Sequence, residues 1–285
     1  MKLIPTGNRV VITGGAKGFG RAMAMVFAQH NWRIAVADLR YNEAAETCEA
    51  LLQAGAEDAF ACTCDVTQHD DIQSLYDQCM SRWQGVDVLI NNAGIYCGGT
   101  FVELNESSWT PVLETNLMGT LRVTKAFVPM FTKQKSGRIV NIASLSAVLP
   151  MPGSTAYSAS KGAVFAFSQG LRHELRPYKV GVSVAIPNVF KTDIFKDGDI
   201  PNKAVRNSME SSMHMSTITA EDVAQWVYEG IMNDEFLITS REDGEFGKYL
   251  SIMSEALDAL TDAMAPLSKS MKNKVVVTRK KEPAL

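Results

Sequence analysis

The stretch Arg9-Val10-Val11-Ile12-Thr13-Gly14-Gly15-Ala16-Lys17-Gly18-Phe19-Gly20 decides how the chain folds. Its first five residues are mostly β-branched and apolar, which predicts a strand over Arg9–Thr13. The glycines that follow end the strand, and the amphipathic run Arg21–His30 continues as a helix starting near Gly18. A strand that enters a helix through glycines leaves backbone N–H groups and the positive end of the helix dipole facing outward. That arrangement suits a diphosphate. Gly14 permits the tight turn, Gly18 a close backbone approach, and Gly20 packing of the helix on the sheet.

The same alternation continues along the chain. Further strands are expected at Arg33–Asp38, Ala59–Thr63, Val86–Asn91, Arg138–Ile142, Gly181–Ile186 and Phe236–Thr239. Further helices are expected to start near Asn42, Asp70, Ser107, Tyr157, Thr219 and Gly244. Runs such as Val-Val-Ile and Val-Leu-Ile are apolar throughout, as strands buried on both faces must be. The pattern predicts an α/β fold, a doubly wound, Rossmann-like parallel sheet in three layers with right-handed crossovers. No break in composition divides the first 240 residues, so residues 1–267 are assigned to one domain.

Two regions of the chain stand apart. Residues 190–217 mix polar and large apolar side chains without a clear period and are expected to form a mobile loop with short helices. The segment 244–266 carries Leu250, Met253, Leu257, Leu260 and Met264 at helical spacing, a stripe expected to pack against the core or another subunit, with a lid over the substrate as the alternative. Residues 268–285 are basic and polar and read as a solvated tail.

Composition narrows the function classes. Of 285 residues, 46% are hydrophobic and 21% charged, enough apolar material for a sizeable core. A net charge of −3 gives no general attraction to nucleic acid or to an anionic membrane. No apolar run approaches a membrane span, and the N-terminus lacks a signal pattern, so a cytoplasmic protein is expected. Five irregularly spaced cysteines fit reduced, mostly buried thiols, and four scattered histidines suggest no metal site.

Asp38 lies at the end of the second strand, eighteen positions beyond Gly20. A carboxylate there can accept hydrogen bonds from both hydroxyls of an adenosine ribose and repels a 2′-phosphate, so NAD is the expected cofactor. Lys17 and Arg40 are cations near the same place and keep NADP open. Further along, Tyr157 and Lys161 stand four residues apart, one above the other on a helix face. A nearby cation favours phenolate, so a Tyr beside a Lys can exchange a proton with an alcohol or carbonyl at neutral pH.

Asn141-Ile142-Ala143-Ser144 ends one strand, with Ser144 thirteen residues before Tyr157, and Asn91-Asn92-Ala93-Gly94 ends another, with Asn116 in the following helix. In order and spacing, these motifs and the glycine turn resemble the signature of the short-chain dehydrogenase/reductase family over about residues 7–240. The resemblance implies an oxidoreductase with a tetrad of Asn116, Ser144, Tyr157 and Lys161. Tyr157 would be the general acid/base and Lys161 the residue that tunes it and binds the nicotinamide ribose. Ser144 would polarise the substrate oxygen, and Asn116 would hold a water in the proton relay. It also implies cofactor contacts from Gly14, Lys17, Gly18, Phe19, Gly20, Asp38, Asp65, Val66, Asn92, Ala93, Gly94, Pro187, Val189 and Thr192, besides Tyr157 and Lys161. Family habit implies a homodimer or homotetramer.

One departure stands out. The family's usual Pro-Gly after the sixth strand is here Pro187-Asn188, and Asn tolerates positive φ better than most residues. An epimerase or dehydratase on the same fold, or a non-catalytic nucleotide sensor, are alternative readings. Residues expected to border the substrate are Tyr96, Met151, Val189, Phe190, Ile194, Phe195, Met209, Met213 and Met215. This mostly apolar set suggests an apolar or aromatic secondary alcohol or ketone.

Overall fold

Strands that are apolar at every position need a core on each side, and the computed structural model shows both. Residues 3–191, 194, 200, 202–240 and 245–275 are described. Seven of their segments form strands: β1 (Arg9–Thr13), β2 (Arg33–Asp38), β3 (Asp58–Thr63), β4 (Val88–Asn91), β5 (Arg138–Ile142), β6 (Gly181–Ile186) and β7 (Leu237–Thr239). They make one parallel sheet in the order β3-β2-β1-β4-β5-β6-β7. Alternate side chains point to opposite faces. Val10, Ile12, Val88, Ile90 and Val140 enter a core with α1 (Gly18–Gln29), α2 (Tyr41–Gln53) and α8 (Ala220–Asn233). Val11, Leu89, Ile139 and Val182 enter the other, with α3 (His69–Trp83), α5 (Thr120–Gln134) and α6 (Thr155–Leu175). The expected doubly wound, three-layer, single-domain fold is therefore present.

The order reverses between β1 and β4, and such a reversal opens a crevice at the carboxyl ends of the strands. The candidate site lies along this edge. The remaining helices are α4 (Glu106–Leu113), α7 (Lys203–Met215) and α9 (Glu245–Val275). Within the loop expected over 190–217, α7 is thus a single helix of 13 residues. No helix among the described residues is long and apolar enough to cross a membrane. The five cysteines are free and buried.

Several expected boundaries move. β4 starts at Val88 because Asp87, just before it, turns its carboxylate to the Arg9 backbone and guanidinium, at 3.0 and 2.6 Å. β7 starts at Leu237, one residue after Phe236. The C-terminal helix does not stop at Pro266 but runs to Val275, so the tail expected from residue 268 begins as helix. A proline removes one backbone donor, which a helix anchored elsewhere survives. Here the anchors are Leu250, Met253 and Leu257 in the core, with ion pairs Arg172–Asp258 and Arg176–Asp262. The expected stripe divides: its last two members, Leu260 and Met264, are exposed, and Thr261 is buried instead. Residues 276–285 lie outside the described part.

β5 begins with a charge in the core. Arg138 is fully buried, donates to Ser183 Oγ and the Leu3 carbonyl at 2.6 Å each, and pairs with Asp234. Gly181 makes room, since a Cβ there would stand 2.7 Å from the guanidinium. The cluster ties the N-terminal segment to the edge of the sheet. Asp234→Ala would leave the guanidinium buried without its counter-ion and should lower stability by about 3–5 kcal/mol. Urea unfolding measures this, and a loss below about 1 kcal/mol would assign the pair no such role.

Candidate active site

Gly14 and Gly18 both adopt positive φ, +62° and +55°, as the strand-to-helix turn requires. A Cβ on Gly20 would stand 2.1 Å from the Gly14 carbonyl oxygen and 2.7 Å from Asn92 Nδ2, so only glycine allows the helix this close. A Cβ on Gly18, by contrast, would meet nothing within 4 Å, which leaves that backbone open to an approaching group. Lys17, the residue preceding α1, caps no helix N–H with its side chain, and the first turn carries no acidic residue. The donors of this helix end and its dipole thus fit the diphosphate of a dinucleotide.

Asp38 is buried at the end of β2. Its two carboxylate oxygens accept from the Ala16 and Arg40 backbone N–H groups, each at 3.1 Å. Beside it the structure adds a residue that sequence reasoning missed. Glu43, in the first turn of α2, lies 3.4 Å from Lys17 Nζ and 3.8 Å from Arg40 Nε. One carboxylate therefore faces both cations that could otherwise greet a 2′-phosphate. Its signal in the sequence was only an acidic residue in a helix's first turn, the commonest of positions for one.

The next strand ends contribute the floor. Asn92 Nδ2 donates to the Thr13 and Gly14 carbonyls at 2.9 Å each, and Ala93 N–H donates to Thr13 Oγ1 at 3.1 Å. Asp65 Oδ1 accepts from the Thr67 N–H and hydroxyl at 2.8 and 2.7 Å, a turn that starts α3, and Val66 beside it is buried against Gly119. Gly94 gives close passage, because a Cβ there would approach Asn116 Oδ1 to 3.1 Å and Lys161 Nζ to 3.4 Å. Asn116 is not in a regular helix. It sits in a wide π-type turn, Glu114–Gly119, between α4 and α5, a local feature common at functional sites. Its side chain is fully engaged: it accepts from Ile95 N–H at 2.8 Å and donates to the Ile95 carbonyl and Ser160 Oγ at 3.0 Å.

A cavity of about 720 Å³ opens beyond this floor. Ser144, Tyr157 and Lys161 line it together with Phe19, Asn92, Gly94, Pro187 and Val189. Of the residues expected around the substrate, Tyr96, Met151, Val189, Phe190, Ile194 and Met213 line it too. Met215 does not: it is 82% exposed at the end of α7. Phe195, Thr192 and the side chain of Met209 lie outside the described residues. Leu149, Val205 and Ser146 were not anticipated as lining residues, since loop conformation carries no period to read. Asn188 does not use the positive φ its replacement of glycine suggested. Instead its N–H donates to Ser240 Oγ at 3.0 Å, and its side chain accepts from the Val189 N–H.

Electrostatics at the centre differ from expectation. Lys161 Nζ lies 5.7 Å from the Tyr157 ring centroid and donates to the Ile142 carbonyl at 2.8 Å. Burial pushes the Tyr157 phenol up to about 12, with Ser144 pulling the opposite way, and pushes the Lys161 ammonium down to about 8. The ammonium over the ring is not among the influences on the phenol. Desolvation outweighs the expected charge effect because both groups are buried.

Comparison with known proteins places the chain among relatives of one family. Residues 8–201 match the family described as short chain dehydrogenase. The chain is 31% identical over 189 residues to a 3-oxoacyl-[acyl-carrier-protein] reductase of Synechocystis, covering 66% of this chain and 76% of that protein. A Thermotoga maritima enzyme of the same name is 32% identical over 199 residues, 70% and 79% of the two chains. The fold also matches a short chain dehydrogenase/reductase from Burkholderia phymatum solved in complex with NAD. That match has TM-score 0.78, 26% identity and full coverage of both chains.

The glycine turn gives a direct test. Gly20→Ala forces a methyl group against the Gly14 carbonyl, an overpacking expected to cost about 1–3 kcal/mol. NADH binding, followed by fluorescence titration, should weaken about tenfold or more while the far-UV circular dichroism keeps its shape. Unchanged affinity would remove the turn from the binding site.

Proposed function

The chain belongs to the short-chain dehydrogenase/reductase family, and from that premise we propose that it interconverts an apolar ketone and its secondary alcohol, with NAD as the preferred cofactor. It is an NAD(P)-dependent oxidoreductase acting on alcohol and carbonyl groups. The observation that carries the substrate class is the cavity itself. Among the described residues lining it, Lys161 alone is charged, and the walls farther out are Tyr96, Leu149, Met151, Phe190, Val205 and Met213. A carboxylate or phosphate on the substrate would be desolvated there without a counter-ion at the outer wall, which disfavours it. Similarity to two 3-oxoacyl-[acyl-carrier-protein] reductases supports carbonyl reduction as a direction the site can run.

When bound, the nicotinamide supplies or accepts the hydride. The protein's own groups handle the proton and the charge on the substrate oxygen. A phenol held up to about 12 stays protonated at neutral pH and serves as general acid toward a carbonyl oxygen. The Ser144 hydroxyl donates to the same oxygen and stabilises charge developing on it. Lys161, charged below about pH 8, binds the nicotinamide ribose. Asn116 braces the loop around Ile95 and Gly94 and positions the relay that refills Tyr157. The glycine turn, Asp65, Val66, Asn92, Ala93 and Gly94 would hold the dinucleotide, with Phe19, Pro187 and Val189 toward the nicotinamide.

The preference for NAD rests on Asp38 and Glu43 together. A 2′-phosphate would meet a buried carboxylate, and like unit charges about 4 Å apart repel by ~1 to ~4 kcal/mol between bulk-water and protein-surface dielectrics. Lys17 and Arg40 would have to leave Glu43 to offset this.

Tyr157→Phe keeps the ring and deletes the proton donor. Turnover of a panel of apolar ketones, with a 3-oxoacyl thioester among them, should fall by about two to four orders of magnitude while NADH still binds. Near-normal turnover would sink the assignment.

The pH dependence follows from the two buried groups. Tyr157 remains protonated across the usual range, so the limb belongs to Lys161, whose charged form is present below about pH 8. Ketone reduction, measured as kcat/KM, should be level below that pH and decline above it. A profile flat to pH 10 would show that the ammonium's charge is not needed.

Cofactor choice is checked by kcat/KM with NADH and NADPH on the wild type and Asp38→Ala. The wild type should favour NADH, and the variant should narrow or reverse the ratio. NADPH preference with Asp38 intact would overturn the proposed cofactor.

A further inference from the structure

We propose that Ser146 is a positioning residue that aims the Ser144 hydroxyl at the reacting oxygen; this rests on the roles given above to Ser144 and Tyr157. The 3-10 turn Leu145–Ala147 follows β5 directly and puts both serines on the cavity wall. Ser144 Oγ accepts from the Ser146 backbone N–H at 3.2 Å, and the two hydroxyl oxygens are 3.0 Å apart. The backbone below is held in turn, because Leu145 N–H donates to the Pro187 carbonyl at 2.9 Å.

Counting protons decides which way the pair points. A serine hydroxyl has one proton and two lone pairs. Were Ser144 to donate to Ser146, its only proton would turn along the wall and nothing would remain for the substrate oxygen. Were Ser146 to donate to Ser144, both Ser144 lone pairs would be filled, one by the N–H and one by the hydroxyl. The Ser144 proton would then be left to the cavity. At 3.0 Å either hydroxyl can donate, and only the second arrangement leaves Ser144 a proton for the substrate oxygen, so the proposal takes the pair in that sense. Two donors behind one hydroxyl also polarise it, so its outward bond strengthens. The Ser146 hydroxyl thus acts through Ser144: it orients and polarises the donor that meets the substrate oxygen.

The signal was present in the sequence as Ser144-Leu145-Ser146, but spacing alone could not place both hydroxyls on one wall. Their nearest alternative duty is capping the short turn. Capping needs only the Ser146 N–H and the Ser144 oxygen, so it leaves the Ser146 hydroxyl out. The two duties separate experimentally because alanine at 146 keeps the N–H and removes only the hydroxyl.

The test compares Ser146→Ala, Ser146→Thr and Tyr157→Phe with the wild type, using NADH, NAD and an apolar ketone–alcohol pair that the wild type turns over. Ser146→Ala should lower kcat for ketone reduction about three- to tenfold, the scale of one net hydrogen bond. Its KM should change less than about twofold. In alcohol oxidation kcat should fall by a similar factor, because the same Ser144 hydroxyl meets the reacting oxygen in both directions. Threonine retains the hydroxyl and should restore kcat in both directions. For both Ser146 variants NADH affinity and melting temperature should match the wild type. Wild-type kcat in Ser146→Ala would overturn the inference, as would a loss confined to KM or a failure of threonine to rescue. If Tyr157→Phe is inactive while Ser146→Ala is normal, the positioning role alone falls. If Tyr157→Phe stays active, the proposed roles of the site fall with it.

Discussion

One side-chain amide holds the ends of β1 and β4 together. Asn92 Nδ2 donates to two successive carbonyls, Thr13 and Gly14, while Thr13 Oγ1 accepts from the Asn92 and Ala93 N–H groups and donates to the Ile90 carbonyl. Parallel strands diverge where the sheet order reverses, and unpaired polar groups appear there by necessity. Here the side chains of Thr13 and Asn92 pair with them. The clamp fixes the glycine turn on one side and Gly94 on the other. A Cβ on Gly94 would already crowd Asn116 and Lys161. A shift of β4 against β1 would therefore move the floor of the cavity and the brace around Asn116 together.

Burial is the second constraint, and it acts against the charge effect read from spacing. Tyr157 and Lys161 are four apart on α6, as the helix period demands, and the ammonium lies over the ring. Yet desolvation moves the phenol upward and the ammonium downward. Each group is held nearer its neutral form, a natural result of placing both behind an apolar wall. Such an arrangement favours proton donation by Tyr157 over proton removal. The Ser144 hydroxyl opposes it, and so on the proposed reading carries more of the tuning than Lys161 does.

Legibility in the sequence followed the strength of periodic and steric signals. β1, β2, β5 and β6 could be bounded to the residue; at β1, β2 and β6 the β-branched apolar runs end at Gly, Asp or Pro, and at β5 the run passes into Ala143-Ser144. The glycine turn was legible because positive φ and backbone contact exclude other residues. Asn188 shows the limit: a residue that can take positive φ need not, and here its side chain and N–H are satisfied otherwise. The end of α9 was misjudged because Pro266 looks like a stop, whereas ion pairs from α6 and the turn after it anchor the helix. Glu43, Ser146 and Leu149 carry signals too common to assign a role. What they do depends on contacts between separate segments, and no local pattern encodes those.

Charge along the carboxyl edge of the sheet runs in a sequence that suits a particular kind of guest. At the β2 end, Asp38 is buried and Glu43 lies beside the two nearby cations, which on the proposed reading favours a free ribose. In the middle, the open N-terminus of α1 offers N–H groups and a partial positive charge. Beyond Gly94, Lys161 is the only charged group among the described residues lining the cavity; it donates to the Ile142 carbonyl, and the lining is mostly apolar. On the proposed reading the adenosine ribose of a dinucleotide would lie at the first of these places and its diphosphate at the second. On the proposed reading the substrate meets Tyr157, Ser144 and Ser146 on the cavity wall. A carbonyl or hydroxyl then orients it, and an apolar remainder fills the cavity.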